Sequence, residues 1–267
     1  MNDYIPKKVK IIEFHQESPD NVSIVIDFKV KHQPGQFVQL SLPGIGEAPI
    51  SICSCSDKYM KLDIRAVGSV TNSVSKLREG DYVYVRGPYG KGYPMEGLEG
   101  NNIVLIGGGS GVAPLKGIID YVADHRKHYL KMSLFLGYKT VNDVLFKREI
   151  PHWNKKYDLM ISVDKADKSE SLAGYDLNIG FIADYVRKAD ISRRNTIVFL
   201  CGPPIMINKI IVYLKDKGFD SSQLYVSAER LMQCALGICG HCMIHGKYTC
   251  LDGPVFRVDE LEGFRND

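Results

Sequence analysis

The sequence IVLIGGGSGVAPL, residues 103–115, places a run of aliphatic residues directly before four closely spaced glycines. Such a strand-to-helix turn lets a pyrophosphate approach the backbone at the helix N-terminus, where free N–H groups and the helix dipole favour anions. A plain structural turn can have the same composition, so this loop alone is weak evidence for a nucleotide site. The candidate cofactor-binding residues are Gly107, Gly108, Gly109, Gly111, Val112, Ala113 and Pro114.

Around this loop, strand-like and helix-like segments alternate. Strands are expected at 103–106, 132–136, 159–163, 196–200 and 224–226, and helices are expected from the loop to about residue 126, at 179–188 and at 205–217. This alternation predicts an α/β domain with a doubly wound parallel sheet.

A second turn, CGPPIM at residues 201–206, follows another buried strand. Ligands of such sheets bind outside the carboxyl ends of the strands, so both loops should lie at one edge, beside one crevice. Two loops at one edge make a nucleotide site more credible. The candidates in this turn are Cys201, Gly202, Pro203 and Met206.

The first 90 residues show a different pattern of predicted secondary structure. Short β-prone runs at 9–14, 22–28, 36–42, 61–67 and 82–86 are separated by turns rich in proline and glycine. They predict a small antiparallel β-barrel with one helix at 71–77. The predicted domains are a barrel at 1–98, an α/β domain at 99–226 and a small C-terminal lobe at 227–267.

Four cysteines near the C-terminus form the strongest chemical signal. Cys234, Cys239, Cys242 and Cys250 have the spacing C-x4-C-x2-C-x7-C, and the first three match plant-type 2Fe-2S ligation. A zinc site is the alternative, although zinc ligands usually come as two C-x2-C pairs and only one such pair exists here. A Rieske site through His241 and His245 is less favoured, because four cysteines are already available.

Composition limits the classes of partner. Apolar residues make up 45% of the chain and the formal net charge is only +3, without a basic run, so nucleic acid is not expected as a partner. No segment is apolar enough for a membrane span, and cysteines clustered in this way suggest a metal site in a reducing compartment. We therefore expect a cytoplasmic protein.

The order of the motifs resembles that of the ferredoxin-NADP reductase superfamily. The resemblance rests on residues 34–38, the Pro-x-Ser stretch at 49–51, residues 65–71, GDYVYVRGP at 80–88, the glycine loop, CGPP and the cysteine segment. It covers nearly the whole chain. The cysteine segment is similar to the branch that holds the electron-transfer subunits of dihydroorotate dehydrogenase and anaerobic sulfite reductase and the gamma subunit of sulfhydrogenase. Residues 44–51, 89–94 and 202–207 most resemble the sulfite reductase member.

The resemblance implies FAD, a 2Fe-2S cluster and NAD(P)H, with NADH favoured. The superfamily motif Arg-x-Tyr-Ser/Thr before the flavin has Ala48 and Ile50 at its first and third positions here, so only Ser51 carries over. The flavin phosphate is therefore expected to bind at Arg65 and the turn Gly68–Thr71, whose Gly-x-x-Thr pattern offers backbone donors and a hydroxyl. The flavin candidates are Pro49, Ile50, Ser51, Arg65, Ala66, Val67, Gly68, Val70 and Thr71.

These parts predict an electron-transfer subunit: a nicotinamide nucleotide reduces the flavin by two electrons, and the cluster passes single electrons to a larger catalytic or ferredoxin-like subunit. Ser51 at the flavin edge and Cys201 near the nicotinamide are the candidate catalytic residues, although Cys201 equally fits a buried strand end. Two alternatives stay open, a self-sufficient reductase and a redox sensor with a zinc lobe. Lys139 and Asp143 favour opposite nucleotides, NADPH and NADH.

Overall fold

The computed structural model describes residues 4–166, 172, 175 and 177–261. The chain divides into two compact units. The barrel unit comprises Met1–Tyr93, Lys116–Tyr121 and Ala228–Val255, and the sheet unit comprises Pro94–Leu115, Val122–Ser227 and Phe256–Asp267. The cysteine segment is thus grouped with the barrel, while the three-domain division after residues 98 and 226 stays a prediction.

The barrel unit begins with a six-stranded antiparallel sheet. Its strands are β1 (Lys7–Gln16), β2 (Asn21–Ile26), β3 (Phe37–Leu42), β4 (Gly46–Ser51), β5 (Met60–Arg65) and β6 (Tyr82–Tyr89), with helix α1 (Ser69–Val74) after β5. The strand order is β4-β3-β6-β1-β2-β5. A β-bridge between Ile52, just after β4, and Leu62 on β5 joins the two edges. This confirms the predicted antiparallel barrel.

Alternating side chains build the barrel core. On β1, Val9 and Ile11 are buried while Lys8 and Lys10 are exposed, as the two-residue period of a strand requires. Burial of each such aliphatic side chain stabilises the fold by about 1.5–3 kcal/mol. Val70 and Val74 of α1 join the same core, so the turn before α1 is attached to the barrel by packing.

The sheet unit contains parallel strands flanked by helices. The strands are β7 (Asn102–Gly108), β8 (Met132–Tyr138), β9 (Asp158–Val163), β10 (Asn178–Ile179), β11 (Thr196–Cys201) and β12 (Leu224–Ser227), in the order β10-β9-β8-β7-β11-β12. The helices are α2 (Val112–Asp124), α3 (Ile150–Lys156), α4 (Ile182–Lys188) and α5 (Pro204–Asp216). The pairs between these strands are parallel, which confirms the predicted doubly wound sheet.

The cysteine segment holds short elements only. Strands β13 (Met243–Ile244) and β14 (Lys247–Tyr248) form a hairpin, helix α6 (Thr249–Asp252) follows, and β15 (Val255–Arg257) lies beside β12. Within the described part of the chain, no helix is long and apolar enough to cross a membrane.

Among the described residues, seven elements were not expected from the sequence: β4, α3, β10, β13, β14, α6 and β15. β4 reads GEAPIS, which contains glycine and proline and so lacks the usual β-strand composition. It forms because its six residues pair in register with β3 at the edge of the sheet, where proline is tolerated.

Candidate functional site

The glycine loop of the sheet unit connects β7 to α2 through a tight turn at Gly109–Gly111. Gly109 has φ +56° and open space at its Cβ position, so its backbone conformation alone favours glycine. Val112, Ala113 and Pro114 are buried in the first turn of α2. Their buried side chains anchor the helix start, and their contact with a nucleotide stays a prediction.

The glycine loop and the turn at 201–206 lie against each other, as expected. β7 and β11 are neighbours in which Gly107 pairs with Cys201, so both loops leave the same carboxyl edge. A Cβ on Gly111 would stand 2.6 Å from the carbonyl oxygen of Cys201, and a Cβ on Gly108 would stand 2.6 Å from the sulfur of Met206. A side chain at Gly111 would therefore force the loops apart, whereas one at Gly108 would require the Met206 side chain to move.

Cys201 is buried at the end of β11, with 1% of its surface exposed. Gly202 follows with φ +149°, and its Cβ position lies 2.8 Å from the methyl carbon of Met206. Pro203 lies directly before α5, and Pro204 occupies its first helical position, where proline is favoured. This burial matches the structural interpretation of Cys201 as a strand-end residue, and a role near the nicotinamide stays a prediction.

The two candidate readers of the nucleotide ribose have different surroundings. The backbone N–H and hydroxyl of Thr140 donate to one carboxylate oxygen of Asp143, at 2.9 and 2.7 Å. Lys139 is exposed directly after β8, and Asp164 directly follows β9. Burial raises the pKa of Asp164, while Lys139 and Lys165 oppose that rise. Asp143 thus stabilises its own turn, and Lys139 lies at the carboxyl end of strand β8.

The proposed flavin strand is β4. Ile50 points into the barrel core, being 7% exposed, whereas Pro49 and Ser51 are half-buried. Ser51 pairs with Phe37 at the end of the strand. Of these three residues, Ser51 has the polar side chain in a partly accessible position, in agreement with its proposed contact to a flavin edge.

The turn before α1 is stabilised by Thr71. Its hydroxyl oxygen accepts the backbone N–H groups of Val67 and Gly68 at 3.1 and 3.0 Å. Thr71 is buried, while Arg65 and Val67 are exposed at the same turn. The hydroxyl of Thr71 therefore shapes the turn, and a flavin phosphate contact through Arg65, Ala66, Val67, Gly68, Val70 or Thr71 stays a prediction.

Turn and strand are adjacent. A Cβ on Gly46, at the start of β4, would lie 3.3 Å from a methyl carbon of Val70 in α1. The Gly68 turn is thus packed beside the strand that carries Ser51, so one elongated cofactor can reach both segments of the barrel unit.

The cysteine sulfurs are surrounded by backbone donors. The N–H groups of Leu236, Ile238 and Cys239 each lie 3.4 Å from the sulfur of Cys234, and the N–H of Gly237 lies 3.2 Å from the sulfur of Cys250. Amides that point at thiolate sulfurs stabilise negative charge there. These donors fit the electron-rich sulfurs of an iron-sulfur centre.

The four thiols approach each other in two pairs. The thiols of Cys234 and Cys239 are hydrogen-bonded to each other, and the sulfurs of Cys242 and Cys250 are 3.3 Å apart. Two pairs fit two irons, each with two thiolates.

The pairs differ in their electrostatics. Burial raises the pKa of Cys234, but the N–H groups of Leu236, Cys239 and Ile238 together lower it further, to about 6. Burial and the neighbouring Cys242 thiol raise the pKa of Cys250 to about 12. If iron were bound by these four residues, both Cys234 and Cys250 would ligate it as thiolates, because a coordinating thiol loses its proton.

One side of the segment is open to solvent. Cys242 and Cys250 are buried, whereas Cys239 is exposed and Ile238 beside it is 70% exposed. His241 and His245 are exposed, as expected for residues outside the ligand set. Of the four candidate ligands, Cys239 is therefore the one on the exposed side of the segment.

Two barrel side chains that were not anticipated donate hydrogen bonds to this segment, Gln39 and Arg86. Arg86 donates to the carbonyl oxygen of Cys234 at 2.7 Å and forms an ion pair with Glu47. Its position carried no sequence signal, because Arg86 alternates with the core residues Val83 and Val85 of β6 as a solvent-facing residue would, and yet it is buried.

Comparison with family models agrees with this division of sites. Residues 105–211 match the oxidoreductase NAD-binding domain, and residues 229–262 match the iron-sulfur cluster binding domain of dihydroorotate dehydrogenase B. The first range spans both nucleotide loops, and the second spans all four cysteines.

Relatives similar along most of their length are also known. Sulfhydrogenase 2 subunit gamma of Pyrococcus furiosus is 40% identical over 84% of this chain and 82% of its own length. Sulfhydrogenase 1 subunit gamma of the same organism is 34% identical over 97% and 93%. A Pyrococcus furiosus protein named "Probable dihydroorotate dehydrogenase B (NAD(+)), electron transfer subunit" is 31% identical over 96% and 92%.

Among solved structures, that of an NADH-dependent reduced ferredoxin-NADP oxidoreductase superposes with a TM-score of 0.78. It covers 96% of this chain and 91% of its own, at 24% identity. This similarity concerns the fold.

Proposed function

Because the chain belongs to the family of NAD(P)H-dependent iron-sulfur electron-transfer subunits, in the ferredoxin-NADP reductase superfamily, we propose that it delivers electrons to a separate catalytic subunit. The route runs from NAD(P)H through FAD and a 2Fe-2S cluster. The observation that carries the proposal is the arrangement of four cysteines in two pairs with backbone amides directed at their sulfurs.

Each site has its own task. FAD supplies the conversion of a two-electron donor into one-electron steps, and a 2Fe-2S centre accepts one electron at a time. The glycine loop, with Gly108 and Gly111 packed against the turn at 201–206, lets the pyrophosphate of the nucleotide approach the protein backbone. Ser51 orients the reactive edge of the flavin ring. Cys234, Cys239, Cys242 and Cys250 hold the cluster, with Cys239 on its exposed side. The protein supplies binding and orientation, and its list of catalytic side chains is accordingly short.

Three catalytic partners are candidates. Anaerobic sulfite reductase is the first candidate, supported by the resemblance of residues 44–51, 89–94 and 202–207 to the electron-transfer subunit of that enzyme. A sulfhydrogenase is the second, favoured by the 40% identity to a sulfhydrogenase gamma subunit. A dihydroorotate dehydrogenase complex is a third member of the same functional class.

The cofactor proposal is tested on anaerobically purified chain. Flavin, iron, acid-labile sulfide and zinc are assayed, and the absorption spectrum is recorded before and after NADH. We expect one flavin with about two irons and two sulfides per chain, the stoichiometry of a 2Fe-2S cluster, and bleaching of both chromophores. Cys239→Ser should lose the cluster signal, and Cys55→Ser, in the barrel, should keep it. Zinc without flavin or sulfide would support the sensor alternative instead.

The partner is tested by purifying the complex from its native cells with a tag on this chain. NADH oxidation by the complex is then measured with sulfite, with polysulfide, with protons as acceptor through hydrogen release, and with orotate. Sulfite-dependent oxidation supports the first candidate. Hydrogen release or polysulfide reduction without sulfite activity supports a sulfhydrogenase, and orotate reduction supports the third. NADH oxidation only with artificial dyes by a chain that purifies alone would contradict all three.

A further inference from the structure

A buried arginine of the barrel is bonded to the backbone of the cysteine segment. Arg86 lies on β6 with a side chain that is 7% exposed. Its Nη1 donates to the carbonyl oxygen of Cys234 at 2.7 Å, and its Nη2 donates to the carbonyl oxygen of Gln233 at 3.3 Å. The guanidinium therefore fixes the backbone of one of the proposed cluster ligands.

Glu47 holds the same guanidinium from β4, the strand that carries Ser51. The Nε and Nη2 atoms of Arg86 donate to its two carboxylate oxygens at 2.8 and 2.5 Å, a bidentate pair. The bond to Glu47 raises the pKa of Arg86 above its usual range, so the side chain stays charged.

Gln39 strengthens the connection. It pairs with Arg86 across β3 and β6, and it is 1% exposed. Its side-chain amide donates to the carbonyl oxygens of Met232 and Gln233 at 3.5 and 3.3 Å. Three successive carbonyls of the cysteine segment thus accept hydrogen bonds from two buried barrel side chains.

We propose that Arg86 is a positioning residue for the iron-sulfur cluster, and that its charge, balanced by Glu47, sets the cluster's reduction potential. This inference rests on the cluster ligation by Cys234 proposed above. Arg86 holds the ligand backbone in place, and Glu47 keeps the net charge beside it near zero.

The charge balance predicts effects of opposite sign. Reduction adds an electron to the cluster, so an uncompensated positive charge nearby raises the potential and a negative charge lowers it. Glu47→Gln leaves the charge of Arg86 uncompensated and should raise the potential. Arg86→Gln leaves the carboxylate of Glu47 alone and should lower it. A purely structural role would give no such reversal of sign.

The test is a redox titration of the complete, anaerobically purified chain at pH 8, with dithionite and mediator dyes and with the reduced cluster followed by electron paramagnetic resonance. Wild type, Glu47→Gln, Arg86→Gln and the double variant are compared. Glu79→Gln, which removes a carboxylate from an exposed turn of the same unit, is the control. Flavin content is measured in parallel, because β4 also carries Ser51.

The ratio of reduced to oxidised cluster is compared at one fixed solution potential. It should rise about tenfold in Glu47→Gln and fall by a similar factor in Arg86→Gln. A tenfold change corresponds to a shift of about 59 mV in the reduction potential of a one-electron centre. The double variant should lie near wild type, and Glu79→Gln should be unchanged. If Arg86→Gln retains no iron, Glu47→Gln decides, because it keeps the Arg86 bonds to the backbone.

Shifts of the same sign, or an unchanged potential in Glu47→Gln, would overturn the assignment of Arg86 while leaving the electron-transfer function intact. Wild-type chain without iron and sulfide would overturn both proposals, because no cluster would then exist for Arg86 to position.

Discussion

The backbone N–H of Gly237 points at the sulfur of Cys250, and the nitrogen and sulfur are 3.2 Å apart. The side chain of Leu251 lies against the Cβ position of Gly237. Gly237 has φ +70°, where glycine is favoured. A Cβ here would overlap the Leu251 side chain. The backbone conformation therefore favours glycine, and any side chain here would have to displace that of Leu251 beside the hydrogen bond to the sulfur.

Gly237→Ala is expected to lose most of the iron and sulfide, because the new methyl group must displace Leu251 and turn the amide away from Cys250. Gly240→Ala is the matched control: its φ is +76°, but nothing lies within 4 Å of its Cβ position. It should cost only the backbone strain, about 1–2 kcal/mol, and keep its cluster. Iron analysis and the visible spectrum distinguish the two variants. Equal cluster loss in both would show that backbone conformation alone decides.

Gly111→Ala is expected to weaken nucleotide binding. Its Cβ would meet the backbone of Cys201 and Gly202 at 2.6 Å, so the two loops must separate. Gly109→Ala introduces a residue at φ +56° where no neighbouring atom is met. We expect the KM for NADH in dye reduction to rise at least tenfold in Gly111→Ala and less in Gly109→Ala. Unchanged KM values in Gly111→Ala would place the nucleotide elsewhere.

Lys139→Gln tests whether Lys139, at the carboxyl end of β8, favours NADPH over NADH. NADPH has one more phosphate than NADH, so loss of an exposed lysine should lower kcat/KM for NADPH more than for NADH. Asp143→Asn should leave the ratio of the two values unchanged, since the Asp143 carboxylate is bonded to Thr140 in its own turn. Steady-state rates with both nucleotides measure this. A ratio altered by Asp143→Asn and unaffected by Lys139→Gln would assign ribose recognition to Asp143.

Asp63 in the barrel predicts a pH-dependent stability. Burial raises its pKa from 3.8 to about 7, opposed by a 2.7 Å hydrogen bond from Asn21. Below pH 3.8 the carboxyl is protonated in both the folded and the unfolded chain, so its contribution to folding is fully present. Between about pH 4 and 7 the unfolded chain ionises first, and stability falls as pH rises, by up to about 4 kcal/mol. Above about pH 7, the pKa of Asp63 in the folded chain, this loss in the free energy of unfolding no longer changes with pH.

Asp63→Asn should therefore flatten the decline of the melting temperature between about pH 4 and 7. Asp57→Asn, at an exposed position of the same unit, is the control and should leave the decline unchanged. Thermal unfolding followed by circular dichroism at several pH values measures the effect. A steeper decline in Asp63→Asn would contradict the assignment of this pH dependence to Asp63.

The sequence by itself determined the two kinds of sheet and the positions of most strands, because strand and helix periods are local. It also located the glycine loops and the cysteine ligand candidates, since turn conformation and ligand spacing depend on neighbouring residues. The strand β4 was missed, because GEAPIS has no β-strand composition and pairs only through its contact with β3.

Only the tertiary structure decided how the cysteine segment is supported. Arg86 and Cys234 are 148 residues apart, and no local period relates a barrel strand to a distant carbonyl group. The same holds for the contact of Gly111 with Cys201, which follows from the pairing of β7 with β11. Residue types and short spacings identify which groups can bind a cofactor, whereas long-range packing determines which buried charges and amides act on them.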